Sequence, residues 1–287
     1  MIAVFSVRFR LIVLGLALAA PMLRADDAET MTEHSLRDIL ARQKVLLEDA
    51  ARAGDNRLDQ DSVKTQLNSL SEEYKSLIAQ SPDFAPAYAD YGYFLGKLHL
   101  EDEAMKILLK ADQLDPTIPM VKNQLGNTLA ESGKPLDALS YFQAAARLNP
   151  GEPLYPYQIG TLLYEARDTF LGPGRMSRQQ WDQQMQSAFR TAAELAPDRI
   201  EFTYRYAESY FDVTAPDWNE AYGKWAALEA KATSPADRQI LELQEARVRI
   251  YQGRIADARE ILAKVTDPDL AQQKQKLVAQ LPENAKK

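Results

Sequence analysis

Three stretches of the chain share one layout: QSPDFAPAY at 80–88, LDPTIPMVK at 114–122 and LNPGEPLYP at 148–156. In each stretch the proline is the third residue, so that Pro82, Pro116 and Pro150 follow one another at a step of 34 residues. The same step separates further small residues: Gly92, Gly126 and Gly160, then Ala104 and Ala138, and also Ala111 and Ala145. A fixed period of this length indicates stacked copies of one supersecondary unit.

In this spacing the chain resembles the tetratricopeptide-repeat (TPR) family, whose first helix carries Leu-Gly and whose second carries Ala and Phe before a Pro. The second unit shows the pattern in order: Leu125, Gly126, Ala138, Phe142 and Pro150. The resemblance implies an all-α, right-handed helical solenoid of about five helix pairs, because a lone pair cannot bury its apolar face. Small residues such as Gly92 and Ala104 are expected on facing surfaces of paired helices, where they allow close approach.

The predicted organisation has four parts along the chain. These are a signal peptide at 1–25, a capping helix and linker at 26–61, the TPR solenoid at 62–264, and a capping helix and tail at 265–287. The solenoid holds clear units at 85–118, 119–152 and 153–199 and degenerate units at 200–235 and 236–264. In the third unit Pro197 follows Pro150 by 47 residues, 13 more than the step, and the extra length lies around 170–176. A tolerated surface insertion is favoured there, with a functional lip beside the groove as the alternative.

The first 25 residues have the pattern of a secretory signal peptide. Arg8 and Arg10 precede an unbroken apolar run, LIVLGLALAA at 11–20, and Ala25 follows as a small residue for cleavage. The apolar stretch is shorter than the ~20 residues that a spanning helix needs, so a cleaved signal is favoured over a membrane anchor. We therefore predict a periplasmic or secreted protein of the cell envelope, without a stable membrane span in its mature form.

Composition and motifs exclude several classes of function. The chain has no cysteine, which rules out disulfides, thiol catalysis and a lipid-bearing cysteine. A formal net charge of -7 disfavours nucleic acid as a partner. His34 and His99 lack partners at metal-binding spacing, and no set of nucleophile, base and oxyanion donor can be assembled. We therefore expect no enzyme activity, no metal and no cofactor.

The binding surface is expected on the first helix of each pair. Residues four apart share one helix face, and the face turned away from the consensus positions lines the concave side of a solenoid. The expected groove residues are Tyr93 and Lys97 in the first unit, Asn123, Asn127 and Glu131 in the second, Tyr157, Thr161, Tyr164 and Glu165 in the third, and Tyr204, Glu208 and Asp212 in the fourth, with Ala89 on the same stripe and Phe211 at its border.

We call this face of the first helices, formed by the residues just named, the stripe. Tyrosine, asparagine and carboxylate side chains dominate it. Tyrosine offers flat contact area and asparagine can hydrogen-bond a peptide backbone, while carboxylates favour a neutral or basic partner. Some TPR proteins clamp a C-terminal carboxylate with basic residues and asparagines; apart from Lys97 the stripe lacks the basic residues, so the resemblance does not imply that specificity.

The leading hypothesis is a non-enzymatic, periplasmic or secreted scaffold or adaptor, which binds an extended peptide or a partner protein in its concave groove. A binding module for a small molecule or glycan is the alternative, because stacked tyrosines also suit sugar faces. A further alternative is that some of these tyrosines only pack against the next helix. The oligomeric state is left open.

Overall fold

The structure, a computed structural model, describes residues 30–52 and 57–282, apart from the side chains of 51, 52 and 57–60. The predicted signal peptide at 1–25 lies outside the described residues, as does the end of the predicted tail at 283–287. The chain divides into two compact units, one ending at Ser81 and the other beginning at Pro82.

The described residues of the first unit form two helices that pack on each other, α1 (Met31–Arg52) and α2 (Arg57–Gln80). α2 starts five residues before 62, where the sequence analysis places the boundary of the solenoid. The facing sides are apolar, and the buried Tyr74 hydroxyl donates a 2.6 Å hydrogen bond to Gln43 Oε1 across the pair. This bond satisfies two polar groups that would otherwise be costly to bury.

In the second unit, the described residues form a few shorter elements and five helix pairs. In chain order they are α3 (Ala85–Lys97) with α4 (Glu101–Leu114), α5 (Pro119–Glu131) with α6 (Pro135–Leu148), α7 (Leu154–Glu165) with α9 (Arg178–Leu195), α10 (Ile200–Ser209) with α11 (Trp218–Glu229), and α12 (Pro235–Tyr251) with α13 (Ile255–Lys264). The short helix α8 (Arg167–Phe170) lies between α7 and α9, and a 3-10 turn (Pro268–Leu270) leads into α14 (Ala271–Val278). The described residues contain no β-strand, so the predicted all-α solenoid of paired helices is confirmed.

Prolines mark the boundaries of these pairs. α4 and α6 each end two residues before a proline, at Pro116 and Pro150, because proline cannot continue a helix. α5, α6 and α12 each begin with a proline in the first turn, where the missing N–H has no partner to lose. The proline spacing read from the sequence therefore sets where each helix starts and stops.

The glycines at the 34-residue step each lie against a large side chain of the paired helix. A Cβ atom on Gly92 would come within 2.6 Å of Leu108 Cγ, and one on Gly126 within 2.6 Å of Phe142 Cδ1. The closest neighbour of Gly92 is thus Leu108, one turn beyond the expected Ala104. Glycine at this position makes room for a bulky residue between the two helices.

The extra length in the third unit is anchored by buried side chains. Phe170 and Trp181 both belong to the main core cluster, and Trp181 Nε1 donates a 2.8 Å hydrogen bond to the Leu163 carbonyl oxygen. Ser177 begins α9 with a complete capping box, which satisfies backbone N–H groups of the first turn. Within 170–176 the tip at 172–175 is exposed, whereas the flanking Leu171 and Met176 pack against the same core cluster.

Candidate functional site

Helix α3 carries the N-terminal part of the expected groove. Tyr93 and Lys97 lie one turn apart, with Lys97 Nζ 5.3 Å from the centroid of the Tyr93 ring, while Ala89 is buried. Burial lowers the pKa of Lys97 to about 8. On the same helix, burial raises the pKa of Asp90, a residue absent from the sequence expectation, to about 7. Burial and the charge of Asp90 also raise the pKa of Tyr93, so this end of the stripe is partly desolvated.

A row of amide side chains joins the second helix pair (α5 with α6) to the third (α7 with α9). We call Gln124, Asn127 and Gln158 the amide ladder. Gln158 Nε2 donates to Asn127 Oδ1 at 3.1 Å, and Asn127 Nδ2 donates to Gln124 Oε1 at 3.4 Å. Of the two expected asparagines, only Asn127 is partly exposed. Asn123 is 1% exposed, and its amide oxygen and nitrogen have no partner among the described residues. Gln158 is also buried, at 7% exposure, so a ligand on the surface meets the ladder at the partly exposed Gln124 and Asn127 and does not reach Asn123.

Two of the expected tyrosines are half-buried and pack against core rings. The Tyr157 ring lies 5.0 Å from Phe202, and Tyr204 makes an edge contact with Trp225 at 4.9 Å. Burial raises the pKa of both tyrosine hydroxyls, that of Tyr204 to about 12. Tyr164, in contrast, is 39% exposed and leaves ring surface open to solvent. Thr161, one turn after Tyr157, is partly exposed.

Arg205 lies at the centre of the charged part of the stripe. Its guanidinium carbon is 4.3 Å from the ring centroids of both Tyr164 and Phe189. Its Nη1 atom lies 3.0 Å from Asp212 Oδ2 and 3.5 Å from Glu208 Oε2. Lys97 is the basic residue at a stripe position, and Arg205 adds a second basic group to this surface from beside the stripe. Arg205 sits one position beside the stripe in sequence, but its long side chain reaches the stripe's carboxylates.

The carboxylates around Arg205 are partly desolvated. Burial raises the pKa values of Glu165, Glu208 and Asp212, and the nearby positive charge of Arg205 opposes each of these shifts. Burial also raises the pKa of Glu131, which ends α5. The fourth-unit carboxylates thus already have a cation of their own, which weakens the argument for a basic ligand at that position.

The stripe continues into α12 of the fifth unit, beyond the expected residues. Arg247 and Tyr251 are four positions apart on this helix, and Phe211, Trp218 and Tyr251 form a cluster that we call the aromatic platform. The stacked rings of Trp218 and Tyr251 have centroids 4.6 Å apart, and the Phe211 centroid lies 5.5 Å from that of Trp218. The stripe of the first four repeats was defined by residues four apart on the first helix. The same spacing on α12, the first helix of the fifth pair, selects Arg247 and Tyr251.

The loop that follows α10 is held in place by an ionic clamp. Asp182 accepts hydrogen bonds from Arg178 Nε at 2.7 Å and from the backbone N–H and hydroxyl of Thr214 at 2.9 and 2.6 Å. Arg178 Nη2 also donates to the carbonyl oxygen of Asp212 at 2.6 Å. Burial acts to raise the pKa of Asp182, but these hydrogen bonds outweigh it and lower the pKa. Asp212 and the neighbouring Phe211 are therefore held in a defined position.

The chemistry of the stripe is that of binding through contact area and hydrogen bonds. Across residues 30–52 and 57–282, no three histidine, aspartate or glutamate side chains are grouped so that they could hold a metal ion. Within the same part of the chain, no helix combines the length and the apolar character needed to cross a membrane. The groups present are amides, aromatic rings and paired charges.

The family comparison agrees with the fold. A family model described as a tetratricopeptide repeat matches residues 85–118, which form the first helix pair of the second unit. This match assigns residues 85–118 to the tetratricopeptide-repeat family, and the helix pairs that follow repeat the same arrangement.

Two curated relatives and one solved structure are similar to this chain. The type IV pilus assembly protein PilF of Pseudomonas aeruginosa is 33% identical over 99 residues, which cover 34% of this chain and 39% of PilF. A TPR repeat-containing protein of Treponema pallidum is 28% identical over 124 residues, covering 43% of this chain and 15% of that relative. The chain therefore spans well under half the length of these relatives. The crystal structure of YrrB, described as a TPR protein with an unusual peptide-binding site, has a TM-score of 0.58 at 18% identity, covering 72% of this chain and 99% of YrrB. At that identity the likeness shows the fold alone.

Proposed function

We propose that this protein is a non-enzymatic scaffold or adaptor. It binds an extended peptide or a segment of a partner protein along the first helix of each pair in the part of the chain that begins at Pro82. The observation that carries the proposal is the amide ladder. Each amide offers two donors and one acceptor oxygen, and the two bonds within the ladder leave part of that capacity unused on Gln124 and Asn127, which are partly exposed. An extended peptide presents a matching row of backbone carbonyl and N–H groups.

Charge balance supports a neutral segment over a basic one. In the fourth unit, Arg205 pairs with Asp212 and approaches Glu208, so a ligand cation would have to compete with a guanidinium already in place. A partner segment rich in uncharged residues would leave these pairs intact. Truncating such pairs is costly because it leaves a partly buried charge without compensation.

Two observations support a location in the cell envelope. The N-terminal sequence has the charge and apolar pattern of a secretory signal. The similarity to a protein of type IV pilus assembly points in the same direction. We therefore propose a periplasmic or secreted adaptor whose partner is another envelope protein.

The test is affinity capture from an envelope extract with the wild-type protein and two double variants. The first variant, Gln124→Ala with Asn127→Ala, removes two members of the amide ladder. The matched control, Gln183→Ala with Gln184→Ala, removes two exposed amides from the second helix α9. Far-ultraviolet circular dichroism confirms that both variants fold. A partner that the control retains and the ladder variant loses supports the proposal; equal recovery with both variants contradicts it.

Binding of a small molecule or glycan is the second candidate function, and it is favoured by Tyr164, which is 39% exposed although the Arg205 guanidinium lies over its ring. A ligand that binds only the folded state stabilises it by RT ln(1 + L/Kd), where L is the concentration of free ligand, so thermal stability rises with that concentration. A thermal-shift screen against a panel of sugars therefore tests this function directly. An unchanged melting temperature throughout the panel argues against it.

A further inference from the structure

The aromatic platform keeps an exposed pair of rings in a fixed arrangement. The ring planes of Trp218 and Tyr251 differ by 7°, and Tyr251 is 51% exposed. Gln252 Nε2 donates a 3.1 Å hydrogen bond to the backbone carbonyl oxygen of Trp218, which joins the start of α11 to the end of α12. Rings that are already ordered lose little entropy when a ligand packs on them.

The platform is continuous with the expected groove. The Phe211 ring lies 6.2 Å from Trp225, and Trp225 is in edge contact with Tyr204 on the stripe. Arg247 connects the two surfaces, because its guanidinium carbon lies 3.7 Å from the centroid of the Phe211 ring. A peptide that follows the first helices from the amide ladder towards α12 would therefore arrive at the platform.

Arg247 brings hydrogen-bond donors that the protein does not itself use. Among the described residues its guanidinium forms no ion pair within 4.0 Å and no hydrogen bond. Stacking on Phe211 occupies one face of the guanidinium and leaves the N–H groups at its edge available. A planar guanidinium in this position can donate to a peptide carbonyl oxygen beside the rings.

The charges near the platform cancel. Arg205 and Arg247 are two cations within electrostatic reach of the two anions Glu208 and Asp212, and Arg178, which also acts on Asp212, is itself paired with Asp182. A locally neutral site gives no preference for a charged side chain, whereas exposed aromatic surface gains free energy when apolar area covers it. Contact area, not charge, therefore decides what binds here.

We infer that the aromatic platform, with Arg247, is an anchor subsite for one uncharged aromatic side chain of the bound peptide. The ring of that residue packs on Tyr251 and Trp218, and Arg247 donates to a neighbouring backbone carbonyl oxygen. This inference rests on the proposed function, because it assigns a side-chain preference to one end of the same groove.

The three tryptophans of the chain allow a direct assay. Trp181 and Trp225 are 1% and 0% exposed, while Trp218 is partly exposed within the platform. A ligand on the platform changes the emission of Trp218, and the Trp218→Phe variant shows whether the signal comes from that residue. The probes are acetylated, amidated pentapeptides of glycine and serine whose central residue is phenylalanine, alanine or lysine, and they are titrated into the full-length protein.

We expect the phenylalanine probe to bind about threefold to tenfold more tightly than the alanine and lysine probes, the range for one aromatic contact. Tyr251→Ala should remove this preference, while the matched control Tyr141→Ala, at a partly exposed tyrosine of the second helix α6, should keep it. Arg247→Lys, which keeps the charge but not the planar donors, should weaken all the probes equally.

Several results would overturn the inference. These are equal affinity for the three probes, an undiminished preference in Tyr251→Ala, no change in emission at roughly 5 mM phenylalanine probe, or a response to free sugars in place of peptides. Failure of the proposed function gives a different result. In that case the ladder variant and its control recover the same partner equally in the affinity capture. If the probes show no aromatic preference but the capture still depends on the amide ladder, the groove proposal stands and only the anchor subsite is refuted.

Discussion

Replacing Gly126 by alanine should destabilise the protein, although alanine is the better helix former. A Cβ atom built on Gly126 lies 2.6 Å from both Cδ1 and Cε1 of Phe142 and 3.1 Å from Cζ. Phe142 is 2% exposed and packed into the core, so its ring has no open space into which it can move. Either the ring or the two backbones must shift to admit the methyl group.

The magnitude follows from two opposing contributions. Alanine gains about 1 kcal/mol over glycine within a helix, whereas overpacking a core costs about 1–3 kcal/mol. Gly223, in the middle of α11, provides the matched control because a Cβ there would meet no atom within 4 Å. Gly223→Ala should therefore stabilise the protein by about 1 kcal/mol. The difference between the two variants isolates the packing cost, about 1–3 kcal/mol.

Urea unfolding followed by circular dichroism measures the free energy of unfolding of each variant. A double-mutant cycle completes the test, since Phe142→Ala removes the ring that the new methyl group would meet. In that background Gly126→Ala should become stabilising. The reasoning is refuted if Gly126→Ala stabilises the wild-type protein as much as Gly223→Ala does, or if its penalty persists without the Phe142 ring.

Three further predictions concern a buried acid, a helix cap and the central arginine. Burial raises the pKa of Asp90 from 3.8 to about 7, so its contribution to stability is fully present below pH 3.8 and is lost as the pH rises through about 7. Asp90→Asn should match the wild type at about pH 4 and exceed it at about pH 8, by up to roughly 4 kcal/mol in urea unfolding; parallel pH profiles would contradict this. Ser177→Ala removes the capping box of α9 and should cost about 1 kcal/mol by the same assay, while Ser187→Ala, exposed within that helix, should cost nothing measurable; equal effects would exclude the cap. Arg205→Met removes the guanidinium that is hydrogen-bonded to the carboxylate of Asp212 and should cost about 3 kcal/mol, part of which Asp212→Asn restores in the double variant; independent effects of the two changes would show that the pair is not coupled.

The sequence alone was enough for the fold class and the number of helix pairs in the second unit. The step of 34 residues between Pro82, Pro116 and Pro150 marks equivalent points of successive pairs, because each proline must lie beyond the end of a helix. Because the same residue types recur at the same positions of each 34-residue segment, each segment forms the same helix pair. These signals are local in sequence, and a stacked repeat is built mainly from contacts between neighbouring units.

The binding surface was only partly predictable from the same pattern. Spacing by four places Asn123 and Asn127 on one face of α5, but it does not tell how much of that face the adjacent helices cover. In the structure Asn123 is buried and Asn127 joins the amide ladder. Tyr157 was expected to line the groove, and in the structure its ring is partly buried and packs against Phe202.

Tertiary structure alone decided the charge balance and the aromatic platform. Arg205 reaches the carboxylates of the stripe because its side chain is long enough to lie over Tyr164, a contact that its sequence position does not reveal. Trp218 and Tyr251 are 33 residues apart, and they stack only because α11 packs beside α12. Periodicity assigns a residue to a face of its own helix, whereas the partners it meets there depend on distances between helices, which only the packed chain defines.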